Sequence, residues 1–267
     1  VEIFDTAKRQ MLGFGRQQVI DGRDELDFYV ARYDAEISYV DHEIGRILED
    51  LGGRGLLDST LIAFTSDHGE SLGDHHYFFD HGRFSYQTCL RVPLIFHQPG
   101  VLAPRIDTEP VELLQLAPTL LEAAGIELEE GRWGQGRSLW PRLLGLESPA
   151  EVSYAFAEAG YAERPLWQRA VTDGRFKMIY AQDWGEQRWI AGKRNEFALF
   201  DLATDPDETV NLMGREHEAE RRLQTALQKL WSQPPFEVRV EEGTADETQE
   251  EMDEETRQQL RALGYIQ

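Results

Sequence analysis

The sequence predicts an α/β fold followed by a small antiparallel sheet, and three observations carry that expectation. Apolar residues recur at helical spacing from Tyr33 to Leu51. A short apolar strand over Thr60 to Thr65 then ends in a polar cluster, Ser66-Asp67-His68-Gly69-Glu70. After about residue 150 the pattern changes to short strands separated by turns.

Taken in order, the helix rests on Ile37, Val40, Ile44, Ile47, Leu48 and Leu51, with Asp34 as its N-cap and Gly52-Gly53 as its stop. A turn over Gly55 to Ser59 leads into the strand, and the wholly apolar character of Leu61 to Phe64 predicts a parallel sheet covered on both faces. Residues 71–90 have no period and are dense in Gly, His, Asp and aromatics, which marks a functional loop. Arg91 to Phe96 returns to strand, and Leu113 to Ala124 is a helix that tolerates Pro118 only near its start. Gly131 to Gly145 reads as a surface crossing. Strands are expected around 155–157, 169–171, 177–180 and 197–200, then a charged amphipathic helix over Glu216 to Leu230. An acidic linker over 237–255 and a short helix over Thr256 to Leu263 close the chain. The expected division is 1–150 for the α/β part and 151–267 for a small α+β subdomain with sheet, helix and acidic tail.

Composition narrows the function. The 267 residues carry 27 Lys and Arg against 49 Asp and Glu, a formal net charge of −22. Such a chain repels phosphate backbones and anionic lipid, so nucleic acid is excluded as a general partner. An anionic substrate stays open, because a bound cation inverts the local field. The single cysteine, Cys89, forbids an intrachain disulfide and reads as an ordinary buried thiol. No apolar run spans a bilayer: the stretch Val111 to Ile126 is broken by Gln115, Pro118 and Glu122. The chain opens at Val1 rather than Met, and a fragment or processed piece is expected. Its compartment is not fixed by these features.

Four of the seven histidines, His68, His75, His76 and His81, fall close together, interleaved with Asp67, Glu70, Asp74 and Asp80. Carboxylate oxygen and imidazole nitrogen are ligand types for Mn, Zn or Fe and, through oxygen, for Ca or Mg. Ligands in open α/β sheets collect at the carboxyl ends of strands, where Asp67 and His68 stand. A turning chain lets both hold one ion, but they supply at most two ligands. A polar loop that happens to be rich in histidine fits the same spacing.

Thr65-Ser66-Asp67-His68-Gly69-Glu70, then Leu72-Gly73-Asp74-His75, His81-Gly82 and Arg91-Val92-Pro93-Leu94-Ile95, resembles the sulfatase family of the alkaline-phosphatase-like superfamily. The flanks agree: Tyr33 to Ile37 with Asp41 and Gly45, Ala117-Pro118-Thr119-Leu120-Leu121, and Gly136-Arg137-Ser138-Leu139. Further on, Arg175 to Ile179, Leu199-Phe200-Asp201-Leu202 with Asp205-Pro206, and Arg261 to Tyr265 agree too. The resemblance implies part of an alkaline-phosphatase-like parallel-sheet sandwich followed by the small α+β subdomain. It implies that Asp67 and His68 are metal ligands, the second pair of the family, for a divalent cation: calcium foremost, with Mg, Mn or Zn as alternatives. It also implies that His81 is both catalytic and substrate-binding, contacting the sulfate group and helping the leaving oxygen depart. His75 and His76 are read as orienting the loop, and Arg91 as pairing with a carboxylate.

The family nucleophile, a Cys or Ser of a Cys/Ser-x-Pro-x-Arg stretch converted to formylglycine, has no counterpart here. Cys89 is followed by Leu90-Arg91-Val92-Pro93, the wrong spacing. The expected function is therefore sulfuric ester hydrolysis on a small-molecule or glycan sulfate ester. This chain would supply half the metal site and His81, and would be inactive alone, with formylglycine in a missing N-terminal half. A phosphodiesterase or phosphoethanolamine transferase of the same superfamily, or a truncated non-catalytic module, are the alternatives. Family members are often periplasmic, secreted or lysosomal. Trp133, Trp140, Trp167, Trp184 and Trp189 offer faces for a sugar or for subdomain packing.

Overall fold

The computed structural model describes residues 19–23, 25–126, 136–147, 152–160, 167–182, 196–215 and 218–231. The chain falls into two units, Val1–Pro234 and Pro235–Gln267. The acidic linker, the closing helix, Trp133, Trp184 and Trp189, and the side chain of Trp167 lie outside the described residues.

Helix α1 runs from Leu26 to Gly53, so the expected N-cap Asp34 lies inside it. Contact draws the start backward. Tyr29 is buried against Phe78, with Leu26 and Phe28 packed around them, and the Tyr29 hydroxyl accepts from Ile20 N and donates to Arg23 O. The stripe that identifies the helix is not covered by described residues, since Ile37, Val40 and Ile47 are exposed.

Strand β1 (Ile62–Thr65) follows α1, and the loop beyond it contains β2 (Ser71–Leu72), β3 (Phe78–Asp80) and α2 (Gln87–Leu90) before β4 (Leu94–His97). The expectation of parallel neighbours is corrected for β1 and β4, which pair antiparallel from Ile62↔His97 to Thr65↔Leu94. A parallel partner needs a crossover, usually helical, that carries the chain back along the sheet. The loop from Ser66 to Pro93 has no helix longer than the short α2 and delivers β4 from the end at which β1 stopped.

Helix α3 (Leu116–Ala123) follows a 3₁₀ turn over Leu113–Gln115, and Glu112 and Gln115 form a reciprocal capping box there. Pro118 sits in the first turn of α3, where its missing N–H breaks no helical bond. Thr119 Oγ1 accepts from Leu139 N at 2.8 Å, which seats the short helix α4 (Trp140–Leu143) within the expected surface crossing. The Gly136-Arg137-Ser138-Leu139 segment is structural in this setting. A Cβ on Gly136 would lie 2.1 Å from Leu114 O.

The C-terminal strands β5 (Ala155–Gly160), β6 (Trp167–Thr172), β7 (Phe176–Gln182) and β8 (Glu196–Asp201) form an antiparallel sheet in sequence order, as expected. Both faces are covered. Val171, Met178 and Leu199 pack against Ala219, Leu223 and Leu227 of α5 (Glu218–Trp231). Ala170, Ile179, Ala181, Ala198 and Phe200 pack against Tyr77, Phe84, Tyr86 and Cys89 of the loop. Arg222 of α5 also pairs with Asp173 in the β6–β7 turn.

Lys177 lies on the loop-facing side of β7 with its side chain 1% exposed, and its Nζ is 2.7 Å from Glu208 Oε1. Burial pushes the ammonium toward its neutral form, and the Glu208 charge opposes this. The other Glu208 oxygen accepts from Gln87 N at 2.6 Å, at the first residue of α2. Removing one member of such a pair strands the other charge, at a cost of about 3–5 kcal/mol. Glu208→Ala is therefore expected to lower the urea midpoint sharply. The double variant Lys177→Met with Glu208→Leu should recover most of the loss. A double variant no better than the single one would show that charge burial is not the cause.

Candidate metal and sulfate site

The site forms where β1 ends. Ser66 Oγ donates to His68 O at 2.9 Å, and His68 N donates to Asp67 Oδ1 at 3.0 Å. This tight turn brings Asp67 Oδ2 and His68 Nε2 to 3.6 Å. Burial raises the Asp67 carboxyl, but hydrogen bonds from the turn and the neighbouring His68 outweigh it and hold the group below its ordinary range. His68 Nδ1 lies 2.9 Å from Gly69 O. A carbonyl only accepts, so Nδ1 carries the proton and Nε2 is left as the donor toward a cation. Metal-ligating histidines are commonly oriented by such a bond. Two donors at this separation, one oxygen and one imidazole nitrogen, fit one divalent ion.

Gly69 is fixed by close approach. Its N–H donates to Cys89 O at 2.8 Å, and a Cβ there would lie 2.1 Å from Thr88 O. The site turn therefore rests directly on α2.

His81 arrives from β3. Its ring stacks on His68 with centroids 3.5 Å apart and planes inclined by 19°. Its Nδ1 lies 3.1 Å from Glu70 Oε2. A donor atom from each of His68, Glu70 and His81 lies within 4.8 Å of the other two. Glu70 is the functional candidate that sequence reasoning left without a role. Its place among the histidines was visible, but its pairing with a residue eleven positions on was not. Burial raises the Glu70 carboxyl, opposed by the hydrogen bond to His81 and by the His81 charge. The same carboxylate faces α1, where burial first and Glu70 second push the Tyr33 phenol up.

The structure brings together Asp67, His68 and His81 and leaves His75 and His76 apart. His75 stacks on Tyr86 with centroids 3.6 Å apart, and burial lowers its basicity, so it braces the loop. Its φ of 51° and the φ of 58° at His76 are left-handed. Arg91 is exposed and has no carboxylate partner among the described residues, which corrects the expected pairing.

No helix among the described residues is long and apolar enough to cross a membrane. A family profile described as Sulfatase matches residues 7–126, and one described as N-sulphoglucosamine sulphohydrolase, C-terminal, matches residues 73–233. The chain belongs to the sulfatase family, whose fold is alkaline-phosphatase-like. Choline-sulfatase of Rhizobium meliloti (strain 1021) is 37% identical over 221 residues, 80% of this chain and 40% of that protein. The structure of BT4656 with its substrate D-glucosamine-2-N,6-O-disulfate is 28% identical with a TM-score of 0.58, covering 73% of this chain and 38% of that one. The phosphonate monoester hydrolase SpPMH of Silicibacter pomeroyi is 29% identical with a TM-score of 0.56, covering 72% and 38%. The chain thus spans about 40% of the length of the curated relatives it matches.

Cys89 is buried, and burial pushes its thiol up to about 11. At about pH 8 roughly one such thiol in a thousand is ionised. Iodoacetamide is therefore expected to leave Cys89 unlabelled in the native chain and to label it in urea, read by intact mass. Rapid native labelling would show an accessible thiolate instead of the inert core group that the geometry describes.

Proposed function

We propose that this chain is part of a metal-dependent sulfuric ester hydrolase acting on a small-molecule or glycan sulfate monoester. The observation that carries this is the 3.6 Å approach of Asp67 Oδ2 to His68 Nε2 at the end of β1, beside the stacked ring of His81, in a chain of the sulfatase family. Asp67 and His68 would hold the cation: calcium by family resemblance, with Mg, Mn or Zn compatible with an oxygen and nitrogen pair. A divalent ion bound there supplies Lewis acidity to the sulfate oxygens and offsets the acidity of the chain.

The remaining work falls to residues of the loop. Glu70 accepts from His81 Nδ1 and fixes the tautomer, which leaves Nε2 to face the ester. In its doubly protonated form His81 would contact the sulfate and give its Nε2 proton to the leaving oxygen, keeping the Nδ1 proton hydrogen-bonded to Glu70, a role worth about 10²- to 10⁴-fold in rate. The nucleophile, a formylglycine in the family, is assigned to a segment outside this sequence. The division near residue 150 belongs to the same reading. It rests on the change from mixed α/β elements to the β5–β8 meander.

The substrate class draws support from the disulfated glucosamine named for BT4656 and from the choline-sulfatase relative. A second reading, phosphonate monoester hydrolysis, draws on the likeness to SpPMH. The two separate by comparing an aryl sulfate with an aryl phosphonate monoester in the full-length polypeptide.

In that polypeptide Asp67→Ala is expected to lose bound divalent metal, read by elemental analysis, and at least a hundredfold in kcat. His81→Ala should retain the metal and still lose rate. If Asp67→Ala keeps both metal and rate, the ligand assignment is wrong. If Glu70→Gln strips the metal instead, the ion is held by the His68, Glu70 and His81 triad.

A further inference from the structure

We propose that the Tyr77 hydroxyl is a positioning group for His81, tying the backbone of that histidine to the core of the β5–β8 sheet; this rests on the reading of His81 given above. His81 needs such a tie. It follows β3, which pairs with only the two residues of β2 through a register irregularity. Within the same segment His75, His76 and Phe79 hold positive φ angles of 51°, 58° and 49°. Non-glycine residues adopt this conformation only where surrounding contacts over-determine it. The ladder is too short to be that restraint, and the His81 side chain is 44% exposed.

Tyr77 supplies a constraint on the His81 backbone itself, beside the ring contacts from Glu70 and His68. Its hydroxyl donates to His81 O at 2.6 Å. Its ring is 1% exposed and meets Phe84 edge-on, with centroids 4.9 Å apart and planes at 84°. The cluster around it includes Ala170, Ile179, Ala198 and Phe200 from β6, β7 and β8. Its own carbonyl accepts from the buried Ser71 Oγ at 2.7 Å. Tyr77 is thus fixed at ring and backbone, and its phenol holds the carbonyl of His81 while Glu70 holds the ring. A displacement of about 1 Å at a reacting group can cost on the order of a hundredfold in rate, so a single bond at this point is enough to matter.

The test is Tyr77→Phe in the full-length polypeptide, assayed on an aryl sulfate. The ring and its packing are retained, and the exposed side of the His81 turn lets water satisfy the carbonyl, so the melting temperature should stay close to that of the unaltered protein. We expect kcat to fall about tenfold with KM within about twofold. In a His81→Ala background the same change should cost nothing further, because Tyr77 acts through His81. A general structural defect would subtract equally from both backgrounds. Unchanged kcat in Tyr77→Phe, or an equal loss with and without His81, overturns the inference while leaving the function intact. Undiminished kcat in His81→Ala overturns the role of His81 and this inference with it.

Discussion

Lys177 and Glu208 meet 2.7 Å apart where water does not reach, and the geometry of the site loop depends on that meeting. Three stretches distant in sequence converge there: β7, the turn after Asp205, and the start of α2 through Gln87 N. A buried charge pair is a poor source of net stability, since desolvation consumes most of the attraction. Its effect is to be unforgiving of alternatives, because any arrangement that separates the partners leaves a bare charge in an apolar core. The loop is thereby locked to one face of a sheet whose other face is already covered by α5. Ser85 N adds a second tie by donating to Gln168 on β6 at 2.8 Å.

The rigidity gained at the sheet is spent at the end of β1. Asp67 and His68 are placed by hydrogen bonds within their own turn, and His81 by contacts from Glu70, His68 and Tyr77. The first pair could form in many proteins. The arrival of His81 over His68 requires the whole 71–90 loop to be seated. Electrostatics set the order of importance. With a net charge of −22 the chain as a whole repels anions, so an anionic ester of the proposed kind would need a local cluster able to gather positive charge. On the reading proposed above, the imidazoles together with a cation held by Asp67 and His68 would do that.

Much of this was legible in the sequence, for identifiable reasons. The strands β5 to β8 were readable because their apolar runs are short and bounded by turns, and α5 because its stripe is covered by one sheet face. Asp67 and His68 stood out by residue type at a strand end and His81 only through the family resemblance, while the stacking of His81 on His68 could be read from neither. The antiparallel partnership of β1 and β4 was not, since an apolar strand looks the same beside either kind of neighbour. Neither was the start of α1, which is set by Tyr29 meeting Phe78 across the fold and not by a capping residue. Glu70, Tyr77 and Lys177 stayed hidden because their roles are pairings at a distance. A lysine inside Phe176-Lys177-Met178 reads as the solvent side of a strand until the loop is seen to cover it.

The contact beneath Gly69 bears on how portable such a site is. Because the backbone of Thr88 and Cys89 lies hard against this glycine, the Asp67 to Glu70 tetrapeptide is only half of a two-part joint. Grafted onto another scaffold by itself it would keep its letters and lose the surface that sets its curvature. A designer transplanting the arrangement would have to carry the helical turn at Gln87–Leu90 along with it, and the glutamate that anchors that turn as well.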